Sequence, residues 1–289
     1  MAMIWFNAPE HQPFEYECAG NSAVLLIHGF MGTPAEMRPL GAVVADAGVT
    51  AHGVLLSGMG SDIERLGQVG RDDWIEATRE AFDNLSSRFQ RVSVIGYSLG
   101  SAVALHLAAS RAVHRLVLIA PLWKLLGGHP GVLLLPVAKR VVKQFRPFAK
   151  ADFRDPAVRQ FFEGSMSSVD LDDPAVQREL RKQSSLPTAT LDELRRTAAA
   201  CDDLAARVTA PTLVIQGTDD SAVRARDTRR LLGQFRGELP YHQIPGDHFI
   251  IREDRTAWPI TRDLVVSFVA GDTSSPSIGV DQREVVRHG

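Results

Sequence analysis

Three stretches carry side chains that together could open a carbonyl. Gly96-Tyr97-Ser98-Leu99-Gly100 sets one serine between two glycines, after an apolar run (Val92 to Ile95) and before an Ala-rich run (Ala102, Ala104, Ala108, Ala109). A serine at such a strand-to-helix turn is held in a strained conformation that lifts its Oγ above a sheet, and the flanking glycines avoid a Cβ that would crowd the neighbouring elements. A serine hydroxyl is a weak nucleophile until a neighbouring base takes its proton, and that base is usually oriented by a carboxylate. Gly217-Thr218-Asp219-Asp220 and Gly246-Asp247-His248 follow in the order acid, then base, each just past an apolar run. His248 is the candidate base: of the other histidines, His242 falls within a strand pattern, His106 within a helix pattern, and His11 and His288 near the ends. Asp219 and Asp220 both remain candidates for the acid on residue type and position alone.

The anion formed when a serine attacks a carbonyl needs donors already in place. The backbone N–H of Leu99, directly after the serine, is one. The second is expected from the loop after Ala23-Val-Leu-Leu-Ile27, where Phe30 is the natural donor and its ring a candidate wall of the substrate pocket. His28, in the same loop, reads as structural, bonding backbone.

The elements that must position these groups alternate. Phe14 to Cys18 alternates like an edge strand, and Ala23 to Ile27 is a continuous apolar run typical of a strand buried on both faces. Thr33-Pro34-Ala35-Glu36 predicts a helix start, with Thr33 as N-cap, Pro34 at the first position and Glu36 closing a capping box. A strand over 49–56, a helix capped by Asp72 or Asp73 and running to about Phe89, the serine strand, its helix and a strand over 115–119 follow. From Leu122 to about Val208 the pattern is helical, with no convincing buried strand. Strand–helix alternation then returns at Thr212 to Gly217, with a helix over 224–235, a strand over 239–244 and a last helix over 256–269. Such alternation predicts an α/β protein with a mostly parallel central sheet flanked by helices. The helical stretch lies where such folds bind ligands and is expected to be a lid. The expected organisation is a core of 1–121 and 209–270, a helical lid insertion of 122–208 and a polar, aperiodic tail of 271–289.

Bulk properties narrow the function. The chain has 289 residues, 45% hydrophobic and 23% charged, with a formal net charge of −2. No basic stripe points to nucleic acid. Two distant cysteines, Cys18 and Cys201, give neither a disulfide framework nor a thiolate metal site. No phosphate loop, dinucleotide fingerprint or metal-ligand spacing appears, so neither a cofactor nor a metal is expected. Without a signal-like N-terminus or a bilayer-length apolar run, the expectation is a cytoplasmic protein without stable membrane insertion.

His28-Gly-Phe, Gly96-Tyr-Ser-Leu-Gly100, Gly217-Thr-Asp-Asp220-Ser-Ala-Val223 and Gly246-Asp-His248 together resemble the α/β-hydrolase superfamily. Within it, Leu26-Ile-His-Gly-Phe-Met-Gly-Thr33 and Asp73-Trp74 are similar to small bacterial carboxylesterases and monoacylglycerol lipases. The resemblance runs from about Phe14 to Phe268 and implies an α/β-hydrolase fold. Its Gly-x-x-Asp-x-x-Val pattern selects Asp220 as the acid. It implies a serine hydrolase acting on medium-chain acyl esters or monoacylglycerols through Ser98, His248 and Asp220, with the Phe30 and Leu99 N–H groups holding the oxyanion. Two positions depart from the family's habit: Gly58-Met59-Gly60 stands where Gly-His-Gly is usual, and Ser101 where Gly or Ala is common. The apolar stretch 132–142, with Trp123 and Leu125 nearby, is the candidate acyl site, Leu134 and Leu135 foremost. Two rival readings use the same residues. A peptidase or amidase would want lid carboxylates to hold an amino terminus, for which Glu163, Asp170 and Asp172 are available. A ligand-binding receptor of the same fold would have lost turnover.

Overall fold

The computed structural model describes residues 7–271 apart from 147–148, 156–157, 160–169, 184 and 238. The expected tail of 271–289 therefore lies outside the described residues but for Gly271.

Each strand expected from the sequence appears in one seven-stranded sheet. In chain order the sheet strands are β1 (Phe14–Tyr16), β2 (Ser22–Ile27), β3 (Thr50–Val54), β4 (Arg91–Tyr97), β5 (Leu116–Ile119), β8 (Thr212–Gly217) and β9 (Tyr241–Ile244). A separate two-stranded ribbon pairs β6 (Gln144–Phe145) with β7 (Leu186–Pro187). The spatial order is β1-β3-β2-β4-β5-β8-β9. Only β1 runs antiparallel, against β3, and caps one edge. The rest pair in parallel, with Ile27 opposite Gly96 and Tyr97 opposite Ile119. The carboxyl ends of β2, β4 and β5 are thus level with one another.

Strand side chains alternate between two apolar layers, as a period of two requires. Ala23, Leu25 and Ile27 face a cluster with α2 (Arg71–Arg88), α3 (Leu99–Ala108) and residues Leu231, Leu232 and Phe235. Val24 and Leu26 face the opposite cluster, with α1 (Arg38–Asp46) and the helix Trp258–Ala270. Helices on both faces of a mostly parallel sheet explain why β2 and β5 are apolar at almost every position.

Local starts differ from the expectation in two places. The first helix opens with a tight 3₁₀ turn, Pro34–Met37, capped by Thr33 Oγ1 accepting from the Ala35 N–H at 3.3 Å. Glu36 does not close a capping box there; its carboxylate reaches back to the Gly29 N–H at 3.1 Å. In α2 the N-cap is Gly70, and Asp73 lies a turn inside, accepting from the Gly70 N–H at 2.8 Å.

Among the described residues between β5 and β8, the regular elements are helices and 3₁₀ turns, with the β6–β7 ribbon as the exception. A 3₁₀ turn, Pro130–Leu134, runs into a short helix, α4 (Leu135–Val141). The later part of this stretch belongs to the core in packing terms. Leu194, Cys201, Leu204, Ala205 and Val208 join the apolar cluster of α3. The single helix expected over 191–207 is two, Thr188–Ala199 and Cys201–Ala205.

Candidate active site

Ser98 sits between β4 and α3 with φ +53° and ψ −115°, a region that non-glycine residues seldom occupy. The turn is enforced from both sides. A Cβ on Gly96 would overlap the Gly100 carbonyl, and one on Gly100 would overlap the Ile27 carbonyl at the end of β2. The Ser98 N–H donates to the Ile119 carbonyl at 2.9 Å, tying the turn to β5. Ser101 has its own reason for departing from Gly or Ala. Its buried Oγ lies 2.7 Å from the Gly96 carbonyl and 3.0 Å from that of Ile119, so one hydroxyl proton serves both strand ends.

The structure brings Ser98, His248 and Asp220 together. His248 Nε2 lies 3.1 Å from Ser98 Oγ, and its Nδ1 lies 2.7 Å from Asp220 Oδ2. The loops carrying the histidine and the aspartate are stitched by the Thr218 N–H to Ile244 and the Asp219 N–H to Gly246, both at 2.9 Å. Gly217 permits this approach, since a Cβ there would strike the carbonyls of Gly246 and Asp247.

Asp220 is 5% exposed and fully engaged. Its Oδ1 accepts the N–H groups of Ala222 (2.9 Å) and Val223 (2.7 Å), and its Oδ2 accepts from His248 and from Gln216 Nε2 (2.8 Å). Asp219 is exposed and takes only the neighbouring Thr218 hydroxyl among the described bonds. Of the two aspartates, the buried one faces His248.

Above the serine lies the loop after β2. Gly29 is close enough that a Cβ would come 3.4 Å from that of Ser98 and 3.3 Å from the Tyr97 ring. Phe30 is half-buried against the core, and Met31 takes φ +62° to turn the loop. Leu99 is the first residue of α3, so its N–H belongs to the turn that has no helical carbonyl to serve. His28 holds the loop from beneath: its Nε2 accepts the Leu56 N–H at 3.1 Å and its Nδ1 donates to the Gly29 carbonyl at 2.8 Å. Complete burial lowers its pKa to about 4, which keeps the ring neutral and the tautomer fixed.

Three further groups shape the site. Glu36 keeps part of its length exposed, but its carboxylate is enclosed, and that desolvation pushes its pKa up to about 7. The Gly29 N–H, His248 and Arg252 pull the other way. The Tyr97 hydroxyl donates to the His248 carbonyl at 3.1 Å, and burial, with the Glu36, Asp220 and Asp247 carboxylates, holds the phenol un-ionised. Gln216, wholly buried in β8, donates to Asp220 and to the Val223 carbonyl while accepting the Thr228 hydroxyl at 2.8 Å. Its signal in the sequence was the one amide side chain inside an otherwise apolar buried strand, since a buried amide must find partners. Nothing in the sequence marked Glu36 for the loop rather than for its own helix.

The lid-side residues expected at the acyl site differ in their surroundings. Trp123 is packed in the core, 4% exposed, its indole N–H donating to Asp202 Oδ1 at 2.6 Å and the Lys124 ammonium 4.0 Å above its ring. Leu134 is 66% exposed and faces outward, so it does not line an enclosed pocket here, and Leu135 is half-buried. Met59 is completely buried in the core between two glycines of positive φ. No cluster of histidine, cysteine or acidic side chains suited to a metal occurs among the described residues.

Comparison with known proteins agrees with this architecture. Over 97 residues the chain is 39% identical to a thermostable monoacylglycerol lipase of Bacillus sp. (strain H-257), which covers 34% of this chain and 38% of the lipase. It is 34% identical over 97 residues to a carboxylesterase of Bacillus subtilis (strain 168), covering 33% and 39%. These matches span less than two fifths of each relative's length. Among solved structures, a metagenome-derived lipolytic enzyme from a study of LipS and LipT superposes with a TM-score of 0.70 at 18% identity, over 90% of this chain and 98% of that one. The monoacylglycerol lipase of Paleococcus ferrophilus gives 0.68 at 18% identity, over 89% and 97%. At such identities the likeness is one of fold, the α/β-hydrolase fold. The family model Hydrolase_4, described as serine aminopeptidase S33, matches residues 20–246, and the chain belongs to that family of hydrolases.

Proposed function

We propose that this protein is a serine hydrolase that cleaves carboxylic esters of medium-chain acyl groups, monoacylglycerols among them. The observation that carries the reading is the unbroken run of hydrogen-bond distances from Ser98 Oγ through the His248 ring to the buried Asp220 carboxylate. In this reading His248 Nε2 takes the Ser98 proton as Oγ attacks the ester carbonyl, and Asp220 holds the imidazolium that results. The Phe30 and Leu99 N–H groups meet the oxyanion. His248 then gives the proton to the departing alcohol, leaving an acyl group on Ser98. Water, activated by the same imidazole, attacks that acyl group and releases the acid.

Residues 122–208 act as the lid over this site in the proposal, anchored in the core by Trp123 at its start and by its last helices at its end. No helix among the described residues is long and apolar enough to cross a membrane. Two free thiols, Cys18 and Cys201, favour a reducing compartment, and the proposal sets the enzyme in the cytoplasm.

The peptidase alternative finds less support. Asp172 is paired with Arg159 at 2.8 Å, and Asp170 accepts from the Asp172 backbone, so both serve their own loop. Glu163 lies outside the described residues. A fluorophosphonate probe, p-nitrophenyl esters and aminoacyl p-nitroanilides separate the readings. The expected result is labelling of Ser98, ester turnover that Ser98→Ala lowers about ten-thousandfold or more, and little anilide turnover. Retention of a tenth of wild-type kcat by pure Ser98→Ala would overturn the assignment. Labelling without turnover would favour the receptor reading.

A further inference from the structure

A soluble fold hides its larger apolar side chains or scatters the few it exposes. Here they are gathered. Among the described residues, the large apolar side chains standing exposed are Leu133, Leu134, Val137, Val141, Val142 and Phe145. They fall within thirteen consecutive positions. Leu134, Val137 and Val141 are spaced three and four apart, so they form one stripe along α4 and the turn before it.

That stripe is held outward by what lies behind it. Lys139, on the other side of the helix, reaches Asp192 Oδ2 at 2.6 Å, and Asp192 is 1% exposed in the helix Thr188–Ala199. Arg195 supports the same carboxylate at 2.8 Å. Beyond the helix the chain is fastened again, where β6 pairs with β7 and the Thr188 N–H donates to the Lys143 carbonyl at 3.1 Å. The exposed face is therefore a fixed ridge.

Its charge is one-sided. From Leu133 to Lys150 the sequence holds Lys139, Arg140, Lys143, Arg146 and Lys150 with no aspartate or glutamate, in a chain whose formal net charge is −2. Arg140, Lys143 and Arg146 are exposed beside the apolar stripe. A second copy of this chain is a poor match: a two-fold contact through this ridge would set Arg140 and Lys143 against their own counterparts. A surface of phosphate headgroups over acyl chains meets both features at once, because apolar side chains enter the interface while cations stay with the anions.

We propose that the exposed 133–146 ridge is a docking surface for an anionic lipid bilayer, its apolar stripe entering the interface and its cations engaging headgroup phosphates. Docking is peripheral and reversible, and it stands apart from turnover at Ser98.

The test is co-sedimentation with large unilamellar vesicles of phosphatidylcholine alone, or with about one third phosphatidylglycerol, using the full chain. Wild type is expected to pellet with the anionic vesicles, to be released by salt, and to stay largely in solution with the neutral ones. Arg140→Glu with Lys143→Glu should weaken partitioning by about fivefold or more for each cation lost. Val137→Asp with Val141→Asp should abolish it. All four positions are exposed, so both variants should keep the wild-type melting temperature. The proposal fails if wild type stays in solution with anionic vesicles, if it pellets equally with neutral ones, or if both variants pellet as well as wild type. If wild type is a dimer by sedimentation equilibrium, does not pellet, and becomes monomeric on Val137→Asp with Val141→Asp, the ridge belongs to a second copy and the lipid proposal falls.

Discussion

Gln216 Nε2 donates at 2.8 Å to Asp220 Oδ2, the same oxygen that His248 approaches at 2.7 Å. The amide is itself fixed, with Thr228 donating to its carbonyl and Val223 accepting from its nitrogen. A carboxylate with one oxygen pinned by two backbone N–H groups and the other shared by an amide and an imidazole has little freedom to rotate. Gln216→Leu removes a hydrogen bond to a charged group, the kind that contributes about 1.5–3 kcal/mol. The expected loss in kcat for ester hydrolysis is roughly tenfold to a hundredfold with KM little changed. Gln216→Glu should be worse, because it sets a second carboxylate against Asp220. A wild-type kcat in Gln216→Leu would show that the two N–H groups suffice.

The two neighbouring aspartates should separate cleanly. Asp220→Asn is expected to lower kcat by about four orders of magnitude, since an amide favours the wrong imidazole tautomer. Asp219→Asn, at an exposed carboxylate facing solvent and Thr218, should change kcat less than about twofold. Steady-state kinetics on one p-nitrophenyl ester decides the ranking, and its reversal would remove Asp220 from the proposed mechanism.

Two titrating groups around the loop after β2 act on stability in opposite senses. Burial depresses the folded pKa of His28 to about 4, so its contribution is present above pH 6.5 and lost as pH falls toward 4. Enclosure raises that of Glu36 to about 7, so its contribution is present below pH 4.5 and lost as pH rises through 7. Between about pH 4.5 and 6.5 the two offset each other. Glu36→Gln removes one of them. Relative to wild type, this variant should gain on the order of 1–3 kcal/mol of unfolding free energy between pH 5 and pH 8. Urea unfolding at both pH values measures the difference, and a constant offset would argue against an enclosed, protonated Glu36.

Ser101 offers a test of the elbow's construction apart from its chemistry. Ser101→Ala leaves the Gly96 and Ile119 carbonyls without their shared hydroxyl, at a cost of about 1–3 kcal/mol. For a chain of this length that is a fall of roughly 2–10 °C in Tm. Fluorophosphonate labelling of Ser98 should persist, and an unchanged Tm would mean that water replaces the hydroxyl.

The proposed acyl specificity has its own signature. A site that encloses the acyl chain gains about 0.8 kcal/mol per methylene taken from water. On the proposal, kcat/KM rises several-fold or more with each two carbons from acetyl to an optimum between about six and twelve. Because Leu134 faces outward, Leu134→Asp should leave that optimum in place. A profile that peaks at acetate would leave a hydrolase of small esters.

What the sequence disclosed were features that local rules dictate. Apolar runs and their interruptions gave the strands. The glycines at 96 and 100 gave the elbow, because close backbone approach leaves no other residue. Chain order past the late strands put His248 and an aspartate within reach of Ser98. What it withheld were choices made by tertiary contact. Thr33 and Glu36 satisfied every local criterion for a capping box, yet the carboxylate found the Gly29 N–H seven residues back. Leu133 to Val142 reads as apolar whichever way it points. Tertiary contacts such as the Lys139–Asp192 pair, linking residues 53 apart, turn that run toward the outside. The packing of Leu194 and Leu204 into the cluster of α3 was likewise hidden, because their helical spacing is the same whatever they cover.

The neighbouring places of β5 and β8 carry an engineering consequence. The two strands lie side by side in parallel, with Leu116 opposite Thr212, so the chain leaves one at the carboxyl edge and must cross back before entering the other. Cys201–Ala205, packed against α3 and followed by Val208, makes that crossing. Leu122, Trp123 and Leu125 still pack into the core after β5, and Thr188 opens the helix that leads back to it, so exchange points belong between those two posts. Grafting the corresponding segment of another hydrolase between Leu125 and Thr188 should leave the elbow and its partners standing, so that selectivity can be rewritten without rebuilding the machine.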